Sequence, residues 1–307
     1  MTGRYLSFLI LILILSFSCS KRTTDPGDDG DNNGPEPPLV EQVGSDETFE
    51  IATWNIERFP KSDDARVTRV ALQKMIEQLD VDLIAVEEIV GTSSFNTMIN
   101  EMDGWEGVLN NYSSSLRTGI IYKSQLFSVS NVRYILEQYK YDFARRPPFA
   151  AYVELRDSNN NTILDFNIIV VHLKAFDDGA DRRRKSIEYL EKYVSDEIAA
   201  GSDPDFIILG DWNDLLDDPS NQNVFTAFKD NPTNYRFLTS SILNDYSYIG
   251  ESYQSLIDHI MITTGLSGKY GQGKTEALKL EQQYVNYISV ISDHRPVVSI
   301  FKGFSIN

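Results

Sequence analysis

A chain of 307 residues, 41% of them apolar, is long enough for one large domain with a true core, and length alone also allows two small ones. With 45 acidic against 28 basic residues the formal charge is −17, which excludes a general electrostatic attraction to a polyanion. An acidic chain can still bind phosphates where divalent cations sit among its carboxylates and invert the local sign.

Arg4 precedes an apolar run over residues 6–17 that is too short to span a bilayer comfortably, the pattern of a signal peptide over 1–18. The single cysteine, Cys19, follows this run in LSFSCS, which resembles a bacterial lipoprotein processing site. Cleavage there leaves Cys19 as a lipidated first residue and membrane anchor; the competing reading makes it an ordinary residue of a removed signal peptide. In the lipidated form no disulfide can exist in the mature chain. Residues 19–47 are rich in Pro, Gly, Asp and Asn and almost free of apolar residues, which predicts a disordered tether. Eight acids against three bases in 1–48 account for −5 of the charge and leave −12 to the domain expected over 48–307. The expected location is the cell envelope, as an outer-membrane or surface lipoprotein.

From Phe49 onward short apolar strands alternate with helical stretches. FEIATW alternates as a strand, and residues 64–79 place Val67, Val70, Ala71, Met75 and Leu79 at helical spacing, with Asp63 or Asp64 as cap. Further strands are predicted at DLIAVEE, GIIYK, PFAAYVEL, ILDFNIIVVHL, DFIILGD, SLIDHIMIT and PVVSIF, with a second long helix over about 180–199. Many strands adjoin without an intervening helix, so two packed sheets with helices outside fit better than one doubly wound parallel sheet.

Several of these strands end alike. DFIILGDWND runs apolar from Phe206 to Leu209, breaks at Gly210, and then presents Asp211 and Asn213. Elsewhere IATWNIE delivers Asn55, DLIAVEE delivers Glu87 and Glu88, IIVVHLK delivers His172, SLIDHI delivers Asp258, and VISDHRP delivers Asp293 and His294. One carboxylate at a strand end is usually a turn residue or helix cap. The set carries more, because all three histidines of the chain, His172, His259 and His294, fall in these segments.

The ordered motifs TWNI, LIAVEEI, RTGIIYK, RRPPFAAY, VVHLKA, ILGDWND, LIDHIMI and SDHRPV resemble those of the endonuclease/exonuclease/phosphatase family of metal-dependent phosphoesterases, over about 50–301. The resemblance implies an α/β fold: a four-layered α-β-β-α sandwich, two mixed β-sheets face to face with helices outside. It implies Glu88 as principal metal ligand; Glu87 stands where the family usually has Gln, which leaves open which of the two coordinates. Asn55 would support metal or phosphate binding, and Asp293 would complete the metal site. Arg146, with Arg145 as neighbouring alternative, matches a phosphate-contacting arginine, and His172 a histidine that binds the scissile phosphate. Asp211 and Asn213 match the pair that positions nucleophile or leaving group, with Asp211 able to hold a second metal. His294 matches the general base or electrostatic partner, and Asp258 its orienting carboxylate, within hydrogen-bond reach. Hard carboxylate and amide oxygens suit Mg²⁺ or Mn²⁺.

Zinc chemistry and a serine nucleophile are poor competitors, since the domain has no cysteine, no two histidines at helical spacing and no G-x-S-x-G elbow. His259 follows Asp258 on one strand, faces the opposite way, and is expected to be structural. The run over 182–185, RRRK, reads as a solvated helix face, with contact to a nucleic-acid backbone as the competing reading. Glu57 and Arg58 are expected at the rim of the site, and Tyr112, Tyr139 and Tyr141 in loops where they could stack on bases. The expected activity is metal-dependent phosphodiester hydrolysis on DNA by a monomer tethered to the membrane only by its lipid. A phospholipid, sphingolipid or inositol-phosphate substrate, or an inactive binding module, are the alternatives.

Overall fold

The computed structural model describes residues 38–112 and 115–303; the expected signal peptide, Cys19 and most of the tether lie outside them. In chain order the main elements are β1 (Phe49–Phe59), α1 (Ala65–Leu79), β2 (Leu83–Ile89), α2 (Thr92–Asn100), β3 (Trp105–Leu109), β4 (Arg117–Lys123), β5 (Phe127–Tyr134), β6 (Phe149–Arg156), β7 (Thr162–His172), α3 (Ala180–Ala199), β8 (Phe206–Asp211), β9 (Tyr235–Phe237), β10 (Tyr248–Ile249), β11 (Gln254–Ser255), β12 (Asp258–Thr263), β13 (Lys274–Ala277) and β14 (Val297–Phe301). Two six-stranded mixed sheets result, ordered β13-β14-β1-β2-β4-β3 and β5-β6-β7-β8-β12-β9. Each contains one parallel pair, β1–β2 in the first and β7–β8 in the second.

The near-continuous apolar strands follow from burial on both faces. Successive side chains alternate, so Phe49 and Ile51 of β1 join Phe166, Ile168, Ile207 and Leu209 in the core between the sheets. Ala52, Trp54 and Ile56 turn the other way onto α1 and α2. In the second sheet Ile169, Val171, Phe206 and Ile208 pack outward onto α3. These three cores are the interfaces of the four layers read from the sequence.

Asp64 caps α1, accepting from the Arg66 N–H at 2.9 Å. The buried stripe of α1 uses Leu72 and Ile76, while Val70, placed in it by spacing, is exposed. The tether also ends earlier than expected. Val40 N–H donates to Gln78 Oε1, and the Val43 and Gly44 N–H groups donate to the Leu79 carbonyl, so residues 38–47 are tied to the end of α1 by its otherwise unsatisfied groups.

Register positions the polar strand ends. His172 of β7 pairs with Asp211 of β8, and Asp211 with Asp258 of β12, so three neighbouring strands present these side chains in one row. In the first sheet Asn55 pairs with Glu87, but the next pair is Phe59 with Ile89. The shift leaves Glu57, Arg58 and Glu88 with positive φ of 34°, 52° and 65°, a bulge that re-aims Glu88 relative to simple alternation.

Gly210 sets the approach of β8 to β7. Its φ is 145°, and a Cβ there would lie 2.0 Å from the Val171 carbonyl oxygen. Gly210→Ala is therefore expected to destabilise the protein by about 3 kcal/mol or more, measured by urea unfolding; a loss under about 1 kcal/mol would contradict this packing.

Candidate active site

The polar strand ends gather at one cleft of about 750 Å³, lined among others by Glu57, Arg58, Glu88, Arg145, Arg146, His172, Asp211, Asn213, Asp293 and His294. Its floor is a hydrogen-bonded carboxylate pair. Asn55 donates from Nδ2 to Asp211 Oδ2 at 3.0 Å and to Glu88 Oε1 at 3.4 Å. The other oxygen of Glu88 accepts the Arg58 N–H at 3.1 Å, and that of Asp211 the Asn213 N–H at 3.0 Å. His172 Nε2 lies 3.6 Å from both Glu88 Oε1 and Asp211 Oδ2, too far for a hydrogen bond. Arg146 is anchored to the same strand end, donating to the carbonyls of His172 and Leu173 at 3.0 and 2.6 Å.

Beside this pair stands a dyad. His294 Nδ1 meets Asp258 Oδ2 at 2.8 Å, the contact expected from the sequence, and Nε2 lies 3.9 Å from Asp293 Oδ1. The backbone around both partners is fixed by residues that drew no notice in the sequence. Ser247 Oγ accepts the N–H groups of Ile257 and Asp258. Ser292 Oγ donates to the Asn55 carbonyl at 2.6 Å and accepts the His294 N–H at 2.9 Å. Tyr287 donates its hydroxyl to the His294 carbonyl and accepts from Trp54 Nε1. Ser292 was within reach of sequence reading, since it opens the SDHRP motif; Ser247 and Tyr287 carry no local signal.

Burial decides the electrostatics. It raises the Asp211 carboxyl to about 7, with the Asp258 charge adding and His294 opposing. It raises Asp293 to about 6, against the attraction of His294 and with help from Glu57. His172 is pushed well below its ordinary range by burial and then by Arg146 and His294, which leaves a neutral imidazole. Burial pulls His294 down as well, but Asp258, by charge and hydrogen bond, and then Asp211 and Asp293 outweigh it, and the ring is raised to about 10.

The donor set fits a hard divalent cation. Among the described residues no lysine or arginine pairs with Glu88 or Asp211, and Asp258 Oδ1 is a buried carboxylate oxygen with no partner. Buried anionic oxygens without a counterion are costly unless a cation joins them. Ligating atoms of Asp211, Asp258 and His294 lie within 4.8 Å of one another. Asp258 Oδ2 and His294 Nδ1 are already spent on each other, so the oxygens that could hold a cation are Asp258 Oδ1 and the carboxylates of Glu88, Asp211 and Asp293.

Other sequence expectations divide. Glu87, paired with Asn55 across the sheet, does not line the cleft; it is fully buried and bonded to Thr53 Oγ1 at 2.9 Å, and burial first, then Asp258, hold its carboxyl well above the usual range. Asn55 turns its NH₂ to the carboxylates while its oxygen accepts the Glu57 N–H at 3.0 Å, which holds Glu88 and Asp211 together. Glu57 and Arg58 do lie at the rim, and Glu57 Oε2 accepts the Asp293 N–H at 2.8 Å. His259 is buried away from the cleft against Thr239 and the Asp214 carbonyl. The RRRK run is not a solvated face: Arg183 is buried on Asp214 at 2.6 Å and Arg184 holds loop carbonyls. Tyr139 is stacked on Tyr189 at 3.7 Å, and Tyr112 is packed edge-on to Tyr134, so of the three tyrosines Tyr141 is the one at the cleft.

A family model described as the Endonuclease/Exonuclease/phosphatase family matches residues 52–294. No curated protein matches the sequence. Among solved structures, TDP2 from C. elegans superposes with a TM-score of 0.60 at 13% identity, over 83% of this chain and 75% of that one. A mannosyl-6-phosphatase from Bacteroides thetaiotaomicron VPI-5482 gives 0.53 at 15% identity over 82% and 98%. An endonuclease/exonuclease/phosphatase family protein from Bacteroides thetaiotaomicron gives 0.56 at 15% over 83% and 95%. At these identities the likeness is one of fold.

The dyad has a measurable signature in metal-free protein. A histidine raised from 6.5 to about 10 contributes stability that is fully present below the lower value and lost as pH rises through the upper one. NMR titration in EDTA is expected to place the His294 midpoint near the upper value, and Asp258→Asn to bring it down. A wild-type midpoint at the ordinary value, unmoved by Asp258→Asn, would contradict the pairing.

Proposed function

Because the chain belongs to the endonuclease/exonuclease/phosphatase family, whose members hydrolyse phosphoester bonds, we propose that it is a divalent-metal-dependent phosphodiesterase acting foremost on DNA. The observation that supports this most is the meeting of the Asp258–His294 dyad with the Glu88 and Asp211 carboxylates in one cleft walled by Arg146. Phosphodiester cleavage needs an aimed water, positive charge at the nonbridging oxygens, and help for the leaving oxygen.

Glu88, Asp211 and Asp293 would hold Mg²⁺ or Mn²⁺, which when bound neutralises these carboxylates and polarises the phosphoryl group. Asn55 keeps Glu88 and Asp211 together. Arg146 binds the phosphate, and neutral His172 donates from Nε2 to an oxygen on which charge develops. The Nδ1 of His294 is fixed on Asp258, which leaves Nε2 as the nitrogen that takes the proton of the attacking water once the Asp211 and Asp293 charges are neutralised. Asp211 and Asn213 orient the water or the leaving oxygen.

The readings of a signal peptide over 1–18 and a lipidated Cys19 extend the proposal to an enzyme tethered outside the cytoplasm. That tether also favours a second reading, hydrolysis of a lipid or inositol phosphate. The fold likeness to a mannosyl-6-phosphatase adds sugar phosphates to the substrates worth testing.

Purified protein is expected to nick plasmid DNA with Mg²⁺ and to stop in EDTA, with His294→Ala slowing turnover by about a hundredfold or more and unchanged circular dichroism. Cleavage that survives EDTA would contradict metal dependence. Hydrolysis of sphingomyelin or mannose 6-phosphate without DNA cleavage would replace the substrate assignment.

A further inference from the structure

Three arginines stand on one wall of the cleft: Arg145 and Arg146 in the loop before β6, and Arg182 in the first turn of α3. No ion pair among the described residues includes any of them. Their neighbours differ, since Lys174 is paired with Asp178 and Arg183 with Asp214. Arg182 Nε is buried with no hydrogen-bond partner, while its Nη2 is held by the Tyr141 carbonyl. The guanidinium lies over the Tyr141 ring, its Cζ 4.3 Å from the centroid, and Tyr141 itself remains 66% exposed. Clustered guanidinium groups repel one another, and in a chain of −17 nothing in composition forces three of them together without an ion-paired carboxylate. An anion is what completes such a cluster.

Arg146 is bound to the strand end that carries His172 and serves the scissile phosphate in the proposed reaction. We infer that Arg182, with Arg145, forms a second phosphate subsite beside it, and that Tyr141 offers its ring to the base or sugar of the adjoining nucleotide. The substrate class is thereby an oligonucleotide that carries a phosphate next to the one cleaved, rather than a compound with a single phosphate. This rests on the phosphodiesterase reading above. Arg182 is half-buried and pre-positioned by Tyr141, so it holds its phosphate with little loss of side-chain freedom. Exposed Arg145 adds charge.

The test compares two substrates of the same chemistry: a thymidine dinucleotide with its single phosphate, and octathymidylate. Arg182→Gln is expected to lower kcat/KM for the octamer by about tenfold more than for the dinucleotide, mainly through KM, the size of one charge-assisted contact. Binding of fluorescein-labelled octathymidylate in EDTA, followed by anisotropy, is expected to weaken likewise and to lose about one unit of salt slope. Equal losses on both substrates, or no loss on either, would overturn the subsite. If the wild type hydrolyses neither substrate, the proposed function fails, while the anisotropy arm still decides: weaker, less salt-dependent binding by Arg182→Gln supports the subsite, and unchanged binding overturns it. Should Arg182→Gln not fold, as judged by thermal unfolding, Arg145→Gln, at an exposed position, carries the same comparison.

Discussion

The hydrogen bond from Asn55 Nδ2 to Asp211 Oδ2 joins the two sheets at the cleft, and the rest of the site is arranged about it. Asn55 stands at the end of the parallel pair β1–β2, and Asp211 at the end of the parallel pair β7–β8. Ligand crevices in α/β folds lie outside the carboxyl ends of parallel strands. Here two such ends face each other, so a single cleft receives polar groups from both sheets. An amide suits this junction because it donates to two carboxylates without adding charge. A lysine there would neutralise them and remove the demand for a cation, while an apolar residue would leave Asp211, 2% exposed, without that contact.

The price of collecting carboxylates in a buried cleft is visible in their proton affinities. Asp211, Asp293 and Glu87 are all raised, burial being the first cause each time, whereas His294 is raised by its acidic neighbours against burial. Without a cation the cleft therefore leans toward holding protons. Binding a divalent ion displaces that tendency, and affinity for it falls at low pH because metal and protons compete for the same oxygens. The same logic explains why Glu87 is tolerated near the site. Its raised proton affinity and its bond to Thr53 weaken the charge it places among the others.

Much of this was legible in the sequence. The strand ends that deliver Asn55, Glu88, His172, Asp211, Asp258 and His294 read as such because apolar runs stop abruptly at polar residues, and the four layers follow from strands buried on both faces. The omitted elements are those with weak patterns. β5 is largely exposed after Phe127, β3 is half-exposed, and α2 buries only Phe95 and Met98, so none presents a clear period. Spacing put Val70 in the stripe of α1 where the structure uses Leu72, an error of phase rather than of element type. The role of Arg183 could not be read locally, because its partner Asp214 lies 31 positions away and only the fold brings them together. Nor could the bulge at Glu88, whose positive φ depends on the register between β1 and β2.

Net charge is a poor guide to what the cleft accepts. The carboxylates lie at the sheet junction, whereas Arg145, Arg146 and Arg182 come from a loop and a helix on one wall. A −17 chain thus holds a polar gradient inside one cavity: an anionic floor suited to a small hard cation, and a cationic wall suited to phosphate. Beyond the Debye length, about 8 Å at physiological salt, the surplus of acids contributes little to a phosphate already in the cleft. At low ionic strength, where screening is weak, it slows the approach of a polyanion. Under the proposed phosphodiesterase reading, selection among phosphate compounds falls to the wall rather than the floor, since the floor takes the scissile group of each substrate and only a substrate's neighbouring groups would reach Arg182 and Tyr141.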